Sequence, residues 1–291
     1  MVFEGSAVAL VTPFDKNNEV DYFELKNLID FQIANGTKAI IILGTTGEAS
    51  TISRDERTKI IKFCVCVVAK RVPLIVGTGS NSTSTSKFFT KEAEDLGADA
   101  VLIVTPYYNK CNQNGLYLHY RSIAKETKLP IILYNVPTRT GVNILPETVY
   151  KLSKIKNIVA IKEASGNLAQ IENVLKIVSR EFCVYSGDDG LTLPIIAMGG
   201  KGVISVTANA YPSEVQYLCE HALAGDLLNA RRWANYLFDL NKCLFLDVNP
   251  ICIKYYLNLI GFNVGKPRLP LTEPNIKIKQ KLKEIKKQYE S

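Results

Sequence analysis

The chain has 291 residues, of which 47% are hydrophobic, and a formal net charge of +7. This hydrophobic fraction is sufficient for a sizeable core, and a single α/β barrel commonly reaches this length. Much of the positive charge falls in residues 276–291, where six Lys and two Glu are combined with apolar residues at helical spacing. This pattern predicts a basic amphipathic helix. It contains no nucleic-acid-binding motif, so we expect no nucleic-acid partner.

The cysteine and histidine content argues against a zinc site. Seven cysteines include no Cys-x-x-Cys pair, and the only histidines are His119 and His221. No metal site is therefore expected. The odd number of cysteines and the absence of a signal-peptide pattern favour a cytoplasmic location, where thiols stay reduced. No apolar run approaches the roughly 18 to 20 residues of a membrane span, so no membrane partner is expected.

Eight short apolar runs recur along the chain and predict buried strands. They cover residues 7–11, 39–43, 74–76, 101–104, 131–133, 158–161, 183–185 and 203–206. Amphipathic segments separate most of them, and Asp21 and Ser53 each precede a Glu by three positions, as in a capping box. Strands alternating with helices predict an α/β fold, here a (β/α)8 TIM barrel. The Gly-x-Gly-x-x-Gly pattern of a dinucleotide-binding fold is absent.

The pattern becomes entirely helical after the eighth predicted strand. Asp226 is placed to begin one helix, and Asn249 followed by Pro250 predicts the N-cap and first residue of the next. We therefore predict a catalytic barrel over residues 1–225 and a C-terminal helical extension over residues 226–291, packed on the barrel.

Lys162 stands directly after the sixth apolar run. A lysine at the end of a buried strand is unusual because burying an ammonium group is costly. Burial favours the neutral amine, which is the nucleophile that forms imines with carbonyl compounds. The ordinary alternatives are that the ammonium group reaches the surface or pairs with the adjacent Glu163.

Other polar residues follow the predicted strands, at the end of the barrel where chemistry is expected. The turn that contains Thr45 and Thr46 presents N–H groups and hydroxyls suited to a small carboxylate, although it could be only a tight turn. Tyr134 could transfer protons or be a core tyrosine. Arg139 could bind a second carboxylate or be a solvated loop residue. Tyr108 could extend a hydroxyl relay from Tyr134 through Thr45.

Asp188 and Asp189 follow the seventh predicted strand. Because Gly190 follows them, we predict a helix N-cap and a first-turn acid, with a structural role rather than a catalytic one.

Six motifs carry a resemblance to a known family. They are Gly44-Thr-Thr-Gly-Glu48, Thr105-Pro-Tyr-Tyr108, Tyr134-Asn-Val-Pro-x-Arg-Thr-Gly141, Ile161-Lys-Glu-Ala164, Ser186-Gly-Asp188 and Gly202-Val-Ile-Ser-Val206. In this order they resemble the dihydrodipicolinate synthase family of pyruvate-dependent, Schiff-base-forming lyases. The resemblance covers nearly the whole chain and favours the catalytic interpretation of Lys162.

The resemblance implies a mechanism in diaminopimelate and lysine biosynthesis. Pyruvate would form an imine with Lys162, and the enamine derived from it would attack the aldehyde of L-aspartate-4-semialdehyde. Tyr134 would transfer protons, and Thr45 and Tyr108 would complete the relay. Residues implied to contact the substrates are Thr46, at the pyruvate carboxylate, Ile204, at pyruvate, Arg139, at the second substrate, and Gly187.

The resemblance also implies that no metal or organic cofactor is needed, because the lysine imine is the electron sink. The expected assembly is a homo-oligomer, a dimer of dimers, in which Tyr108 enters the site of a neighbouring subunit.

Two other functions compete with this one. The first is another pyruvate-dependent lyase, such as N-acetylneuraminate lyase or a 2-keto-3-deoxy sugar acid aldolase. The Thr45-Thr46 pair, the Tyr107-Tyr108 pair and Arg139 favour the synthase. The second is a non-catalytic barrel that binds a keto acid, which would have no need to keep Lys162, Tyr134 and Arg139 together.

A departure from the family concerns inhibition by lysine. Inhibited members bind lysine at a subunit interface through an asparagine and a tyrosine, which Asn81 and Tyr107 match, and through a glutamate and histidines. Thr85 stands at the glutamate position and Arg54 and Arg57 at the histidine positions. A hydroxyl is a weaker partner than a carboxylate for an ammonium group. We therefore predict little or no inhibition by lysine.

Overall fold

The computed structural model describes residues 1–290, in which eight parallel strands form a closed barrel in sequential order. The strands are β1 Gly5–Ala9, β2 Ala39–Ile42, β3 Leu74–Gly77, β4 Ala100–Val104, β5 Ile131–Asn135, β6 Ile158–Glu163, β7 Cys183–Ser186 and β8 Gly202–Ser205. Strand β8 pairs with β1 and closes the barrel. The predicted (β/α)8 TIM barrel with a helical extension is confirmed, and each predicted strand overlaps an observed one.

Helices surround the barrel and continue beyond it. They are α1 Tyr22–Ala34, α2 Arg54–Val68, α3 Thr83–Asp95, α4 Gln113–Ala124, α5 Pro137–Thr140, α6 Pro146–Leu152, α7 Leu168–Ile177, α8 Thr192–Ala197, α9 Pro212–Leu223, α10 Leu227–Leu244, α11 Ile251–Leu259 and α12 Ile276–Glu290. Two short 3₁₀ turns, Asp189–Leu191 and Thr207–Asn209, follow β7 and β8. Within residues 1–290, no helix has the length and apolar character needed to cross a membrane.

Two helix starts test the predicted capping boxes. At α2 the Ser53 hydroxyl accepts from the Glu56 N–H, and the Glu56 carboxylate accepts from the Ser53 N–H at 2.8 Å, so the box is complete. At α1 the Asp21 carboxylate accepts from the Glu24 N–H as predicted. The second half of this box is absent, because the buried Glu24 carboxylate accepts instead from the main-chain N–H of Asn263, at 2.8 Å.

The start of α11 differs from the prediction by one residue. Pro250 is the N-cap and the helix begins at Ile251, so Asn249 lies outside it. The Asn249 side chain is directed at the Thr46 hydroxyl instead of at the N–H groups of the helix. The predicted cap of α10 is confirmed, because the Asp226 carboxylate accepts from the Asn229 N–H at 3.1 Å.

The apolar residues form an inner and an outer layer. Inside the barrel lie mainly small and β-branched side chains, including Ala7, Ala160 and Ile204. The outer layer lies between the strands and the helices, and it includes Leu240 of α10 and Leu282 of α12. This shared layer favours a C-terminal extension of the barrel over an independent unit, and the boundary between 1–225 and 226–291 stays a prediction.

Candidate active site

Lys162 projects into the barrel because side chains alternate along β6. Ala160, two residues earlier, belongs to the inner layer, and Ile161 belongs to the outer layer. The β5–β6 register places Lys162 opposite Tyr134. The Lys162 Nζ atom lies 4.5 Å from the centroid of the Tyr134 ring. The two residues implied to carry the chemistry are therefore adjacent on the inner wall.

Neither ordinary alternative for Lys162 agrees with the structure. The residue is only 5% exposed, so its ammonium group does not extend from the surface. Glu163 lies on the other side of the strand, where Asn135 Nδ2 donates to both carboxylate oxygens at 3.1 Å and the Ser165 N–H donates at 2.8 Å. Burial raises the pKa of Glu163. Pairing between Lys162 and Glu163, one of the two alternatives, is therefore wrong.

Two adjoining cavities open at the C-terminal ends of the strands. The larger, of about 1260 Å³, is lined by Lys162, Thr46 and Gly187 among others. The smaller, of about 600 Å³, is lined by Thr45 and extends to Pro270 in the C-terminal region. Tyr134 and Arg139 line both cavities. Six of the predicted site residues are thus brought to two adjoining cavities.

The turn after β2 is both tight and part of this space. Leu43 and Glu48, at its two ends, each have φ of 55°, a conformation that non-glycine residues rarely adopt. The Thr12 hydroxyl donates to the Gly47 carbonyl at 2.7 Å, and inside the turn the Glu48 N–H donates to the Thr45 carbonyl at 3.1 Å. This strained turn is held by its surroundings in a fixed geometry.

A buried ion pair secures the same turn, and the sequence analysis missed it. Lys254 Nζ lies 2.8 Å from Glu48 Oε1, and both side chains are at most 2% exposed. The same ammonium group donates to the carbonyls of Thr12 and Lys266 at 3.0 Å, while the Arg268 N–H donates to Glu48 Oε2 at 2.8 Å. Desolvation lowers the pKa of Lys254 to about 8. The pair joins α11 to the end of the turn.

Gly187 directly follows β7, and Ile204 lies on β8. A Cβ atom at Gly187 would lie 3.0 Å from Lys162 Cε and 2.8 Å from Ala164 Cβ, so a larger residue would push against the lysine side chain. Ile204 is 1% exposed and faces the barrel interior. It belongs to the inner wall rather than to the lining of the two cavities.

Arg139 lies on α5 and faces both cavities. Its Nη2 atom donates to the main-chain carbonyl of Asn249 at 3.1 Å. The guanidinium group is thereby oriented while other N–H groups stay available for a ligand. The side chain is exposed, so its substrate-binding role stays a prediction beside the solvated-loop alternative.

Tyr108 is not brought to Lys162 within one chain. Its side chain is 91% exposed, and its φ of 72° lies in the left-handed region. It lines neither cavity, whereas Thr45 and Tyr134 share the smaller one. The relay through Tyr108 therefore stays a prediction that needs a second subunit.

The acidic pair after β7 has the structural role that was predicted. Asp188 is the N-cap of a 3₁₀ turn and accepts from the Gly190 N–H at 2.9 Å. Asp189 is buried and accepts from the Val206 N–H at 3.0 Å and from the Ser205 hydroxyl. Burial raises the pKa of Asp189. This carboxylate joins the ends of β7 and β8.

Comparison with known proteins agrees with the fold and with the residue pattern. The model of the Dihydrodipicolinate synthetase family matches residues 2–289. The 4-hydroxy-tetrahydrodipicolinate synthase of Alkaliphilus oremlandii is 48% identical over 288 residues, covering 99% of each chain. The protein of the same name from Geobacter sp. is 52% identical over 291 residues, again covering 99% of each.

Solved structures of dihydrodipicolinate synthases are also similar to this chain. Dihydrodipicolinate synthase from Aquifex aeolicus superposes with a TM-score of 0.97 at 47% identity, over 99% of this chain and 98% of that one. The synthase from Thermotoga maritima superposes with a TM-score of 0.97 at 43% identity, over 99% of each. With a family match over almost its entire length and relatives at about half identity, this chain belongs to the dihydrodipicolinate synthetase family.

Proposed function

We propose that this protein is a 4-hydroxy-tetrahydrodipicolinate synthase of the diaminopimelate and lysine pathway, condensing pyruvate with L-aspartate-4-semialdehyde. The observation that carries the proposal is the position of Lys162. Its amine is buried inside the barrel, beside the Tyr134 ring and at the wall of a large cavity, and the adjacent Glu163 faces away from it. Such an amine is suited to attack a ketone.

The reaction can be followed through Lys162. Its amine attacks the ketone carbon of pyruvate, and loss of water leaves an imine. Loss of a methyl proton converts the imine to an enamine, whose carbon attacks the aldehyde of the second substrate. The amino group of that substrate then adds to the imine carbon, which closes the ring and releases the lysine amine. Tyr134 is the proposed proton donor and acceptor, and Thr45 and Tyr108 are its proposed relay partners.

The surrounding residues have proposed binding roles. Thr46 and the N–H groups of its turn hold the pyruvate carboxylate, and Ile204 and Gly187 shape the space beside the imine. Arg139 binds the carboxylate of the semialdehyde as a bidentate partner. The imine nitrogen accepts the electron pair that an organic cofactor would otherwise take, so the proposal includes no cofactor and no metal.

The proposed assembly is a homo-oligomer, a dimer of dimers. Tyr108 is 91% exposed and the adjacent Tyr107 is 39% exposed, which supports a partner at this loop. A second subunit there would bring Tyr108 toward a site that lacks it in one chain. A cytoplasmic location is supported by the seven free cysteines.

The test is borohydride reduction with pyruvate, read by mass spectrometry. We expect one reduced pyruvate adduct per chain, on the peptide that contains Lys162, and none in the Lys162→Ala variant. Initial rates with pyruvate and L-aspartate-4-semialdehyde, compared with rates of cleavage of sugar acids, then identify the second substrate. A trapped adduct on another lysine, or faster turnover of a sugar acid, would contradict the proposal.

A further inference from the structure

Asn249 contacts both of the residues proposed to bind substrate carboxylates. Its amide Nδ2 donates to Thr46 Oγ1 at 2.9 Å, and its main-chain carbonyl accepts from Arg139 Nη2 at 3.1 Å. The residue is 5% exposed and lines both cavities. A single residue of the C-terminal region therefore lies between the two proposed carboxylate sites.

We propose that Asn249 is a positioning residue that fixes the Thr46 hydroxyl as a donor to the pyruvate carboxylate. This inference rests on the proposed function, because it assigns the pyruvate carboxylate to Thr46. It adds a residue that acts through Thr46 and does not itself contact the reacting atoms.

The direction of the hydrogen bond carries the inference. A threonine hydroxyl has one hydrogen and can accept through its oxygen. Because the Asn249 amide donates to Thr46 Oγ1, the hydroxyl hydrogen points elsewhere and stays available for an anionic ligand. A hydrogen bond to a charged acceptor is stronger than one between neutral groups, so orienting this hydrogen affects affinity.

The other atom of the same amide has no partner in the described part of the protein. Asn249 Oδ1 is buried and has no hydrogen-bond partner within residues 1–290. If the amide were turned around, Oδ1 would accept the Thr46 hydrogen, and that hydrogen would be lost to pyruvate. Buried acceptors are normally paired, so Oδ1 is a free acceptor in a residue that lines both cavities.

The segment that carries Asn249 is held rigidly against the turn that carries Thr46. Lys254, five residues after Asn249, pairs with Glu48, two residues after Thr46, at 2.8 Å. The two segments are thus joined by a buried ion pair and by the Asn249–Thr46 bond. Such support is what allows a hydroxyl to be held in one orientation.

The test is the Asn249→Asp variant, which keeps the shape of the side chain and removes its N–H donor. Its carboxylate would accept the Thr46 hydrogen and would repel the pyruvate carboxylate. We expect the pyruvate concentration for half-maximal borohydride trapping to rise at least about tenfold. The KM for the semialdehyde should stay within about twofold, because the main-chain carbonyl that meets Arg139 is unchanged.

The matched control is Asn258→Asp, the same substitution at the other end of α11. The Asn258 amide donates to the Gly265 carbonyl and accepts from the Val264 N–H. Loss of these hydrogen bonds weakens the structure but leaves the contact to Thr46 unchanged. We expect ordinary pyruvate trapping from this variant. Circular dichroism confirms folding, and Asn249→Ala replaces the Asp variant if the latter is unfolded, with a rise in the same direction.

The outcomes separate the inference from the proposed function. If Asn249→Asp reached half-maximal trapping at the same pyruvate concentration as the wild type, Thr46 would already donate to residue 249 in the wild type. This result would overturn the inference. So would an equal rise in Asn258→Asp, or full additivity between Asn249→Asp and Thr46→Val, because residues acting through one contact are non-additive. Failure of the wild type to trap pyruvate would overturn the proposed function itself.

Discussion

The Lys162 Nζ atom lies 4.5 Å from the centroid of the Tyr134 ring, across a pair of adjacent parallel strands. Because the two residues are directly opposite in the β5–β6 register, their separation is fixed by main-chain hydrogen bonding. The neighbouring cross-strand pair, Asn135 and Glu163, is joined by hydrogen bonds of 3.1 Å on the outer face. One register thus sets both the inner Lys162–Tyr134 pair and the polar pair behind it.

The Tyr134→Phe substitution tests the proton-transfer role. We expect kcat to fall by about 10²- to 10⁴-fold, the usual contribution of a positioned general acid or base. The pyruvate concentration for half-maximal trapping should change far less, because the ring that packs beside Lys162 is retained. Steady-state kinetics and borohydride trapping measure the two effects separately. A loss in kcat below about fivefold would exclude this role.

The Glu48–Lys254 pair gives a prediction about stability. Replacing Lys254 with Met leaves the Glu48 carboxylate buried without its cationic partner, which typically costs about 3–5 kcal/mol. We expect the midpoint of urea unfolding to fall strongly in this variant. The double variant Glu48→Gln, Lys254→Met should recover much of the loss, because the unpaired charge is removed.

The control for this pair is Lys266→Met. Lys266 is also a lysine of the C-terminal region, but its side chain is 74% exposed and its ion pair with Glu273 is 3.4 Å long. Exposed ion pairs contribute at most about 1 kcal/mol, so the unfolding midpoint should hardly change. A similar loss in both single variants would mean that burial of the charge is not the cause.

His119 gives a prediction about pH. It is 5% exposed, its Nδ1 atom lies 2.9 Å from the Thr83 hydroxyl, and its Nε2 atom has no partner within residues 1–290. Burial lowers its pKa from 6.5 to about 4. Between these values the unfolded chain binds more protons than the folded one, so the free energy of unfolding falls as pH falls through this window.

The expected slope from His119 is up to about 1.4 kcal/mol per pH unit. Urea unfolding of the wild type and of His119→Gln between pH 4 and 6.5, the two pKa values of the histidine, measures it. The variant should show a shallower loss of stability toward acid, because its side chain does not titrate. Parallel curves for the two proteins would assign the acid sensitivity to other groups.

The fold could be predicted from sequence because its signals are local. Apolar runs and the alternation of strand and helix identify the barrel. Lys162 could be singled out because it directly follows a predicted strand. Asn249 and Lys254 could not be found in this way. Their partners, Thr46 and Glu48, lie 203 and 206 residues away along the chain, and no periodicity relates them.

The same limit explains the half-formed capping box at α1. The pattern at Asp21 is correct, but the Glu24 carboxylate bonds the main chain of Asn263, 239 residues away. A local motif identifies only hydrogen-bond partners that are near in sequence. In the folded chain, a residue that is distant in sequence can take the place of such a partner.

The surroundings of Arg57 bear on inhibition by lysine. Arg57, which the resemblance places where inhibited family members have a histidine, is 4% exposed, and its Nη2 atom donates to the Gly77 carbonyl at 2.6 Å. Its guanidinium group also lies over the Phe89 ring, at 4.3 Å, and 3.6 Å from Glu92. Burial lowers the pKa of Arg57 to about 10, well above neutral pH, so the group stays cationic.

A lysine ligand bound beside Arg57, as the resemblance implies, would therefore meet a positive charge. Arg54, the second substituted position, lies over the Phe88 ring at 4.0 Å and adds another cation. By the same resemblance, Thr85 offers a hydroxyl where inhibited members offer a carboxylate, so the ligand ammonium would gain only a neutral partner. Both changes act in the same direction, against binding of a cationic ligand.

We accordingly expect weak or no inhibition by lysine. The measurement is the initial rate at saturating pyruvate with lysine titrated into the millimolar range. The Thr85→Glu variant is the matched gain-of-function test, because a restored carboxylate should lower the concentration of lysine needed for inhibition. Inhibition of the wild type by more than half at sub-millimolar lysine would show that the ammonium group is bound without that carboxylate. The electrostatic argument from Thr85, Arg54 and Arg57 would then be wrong.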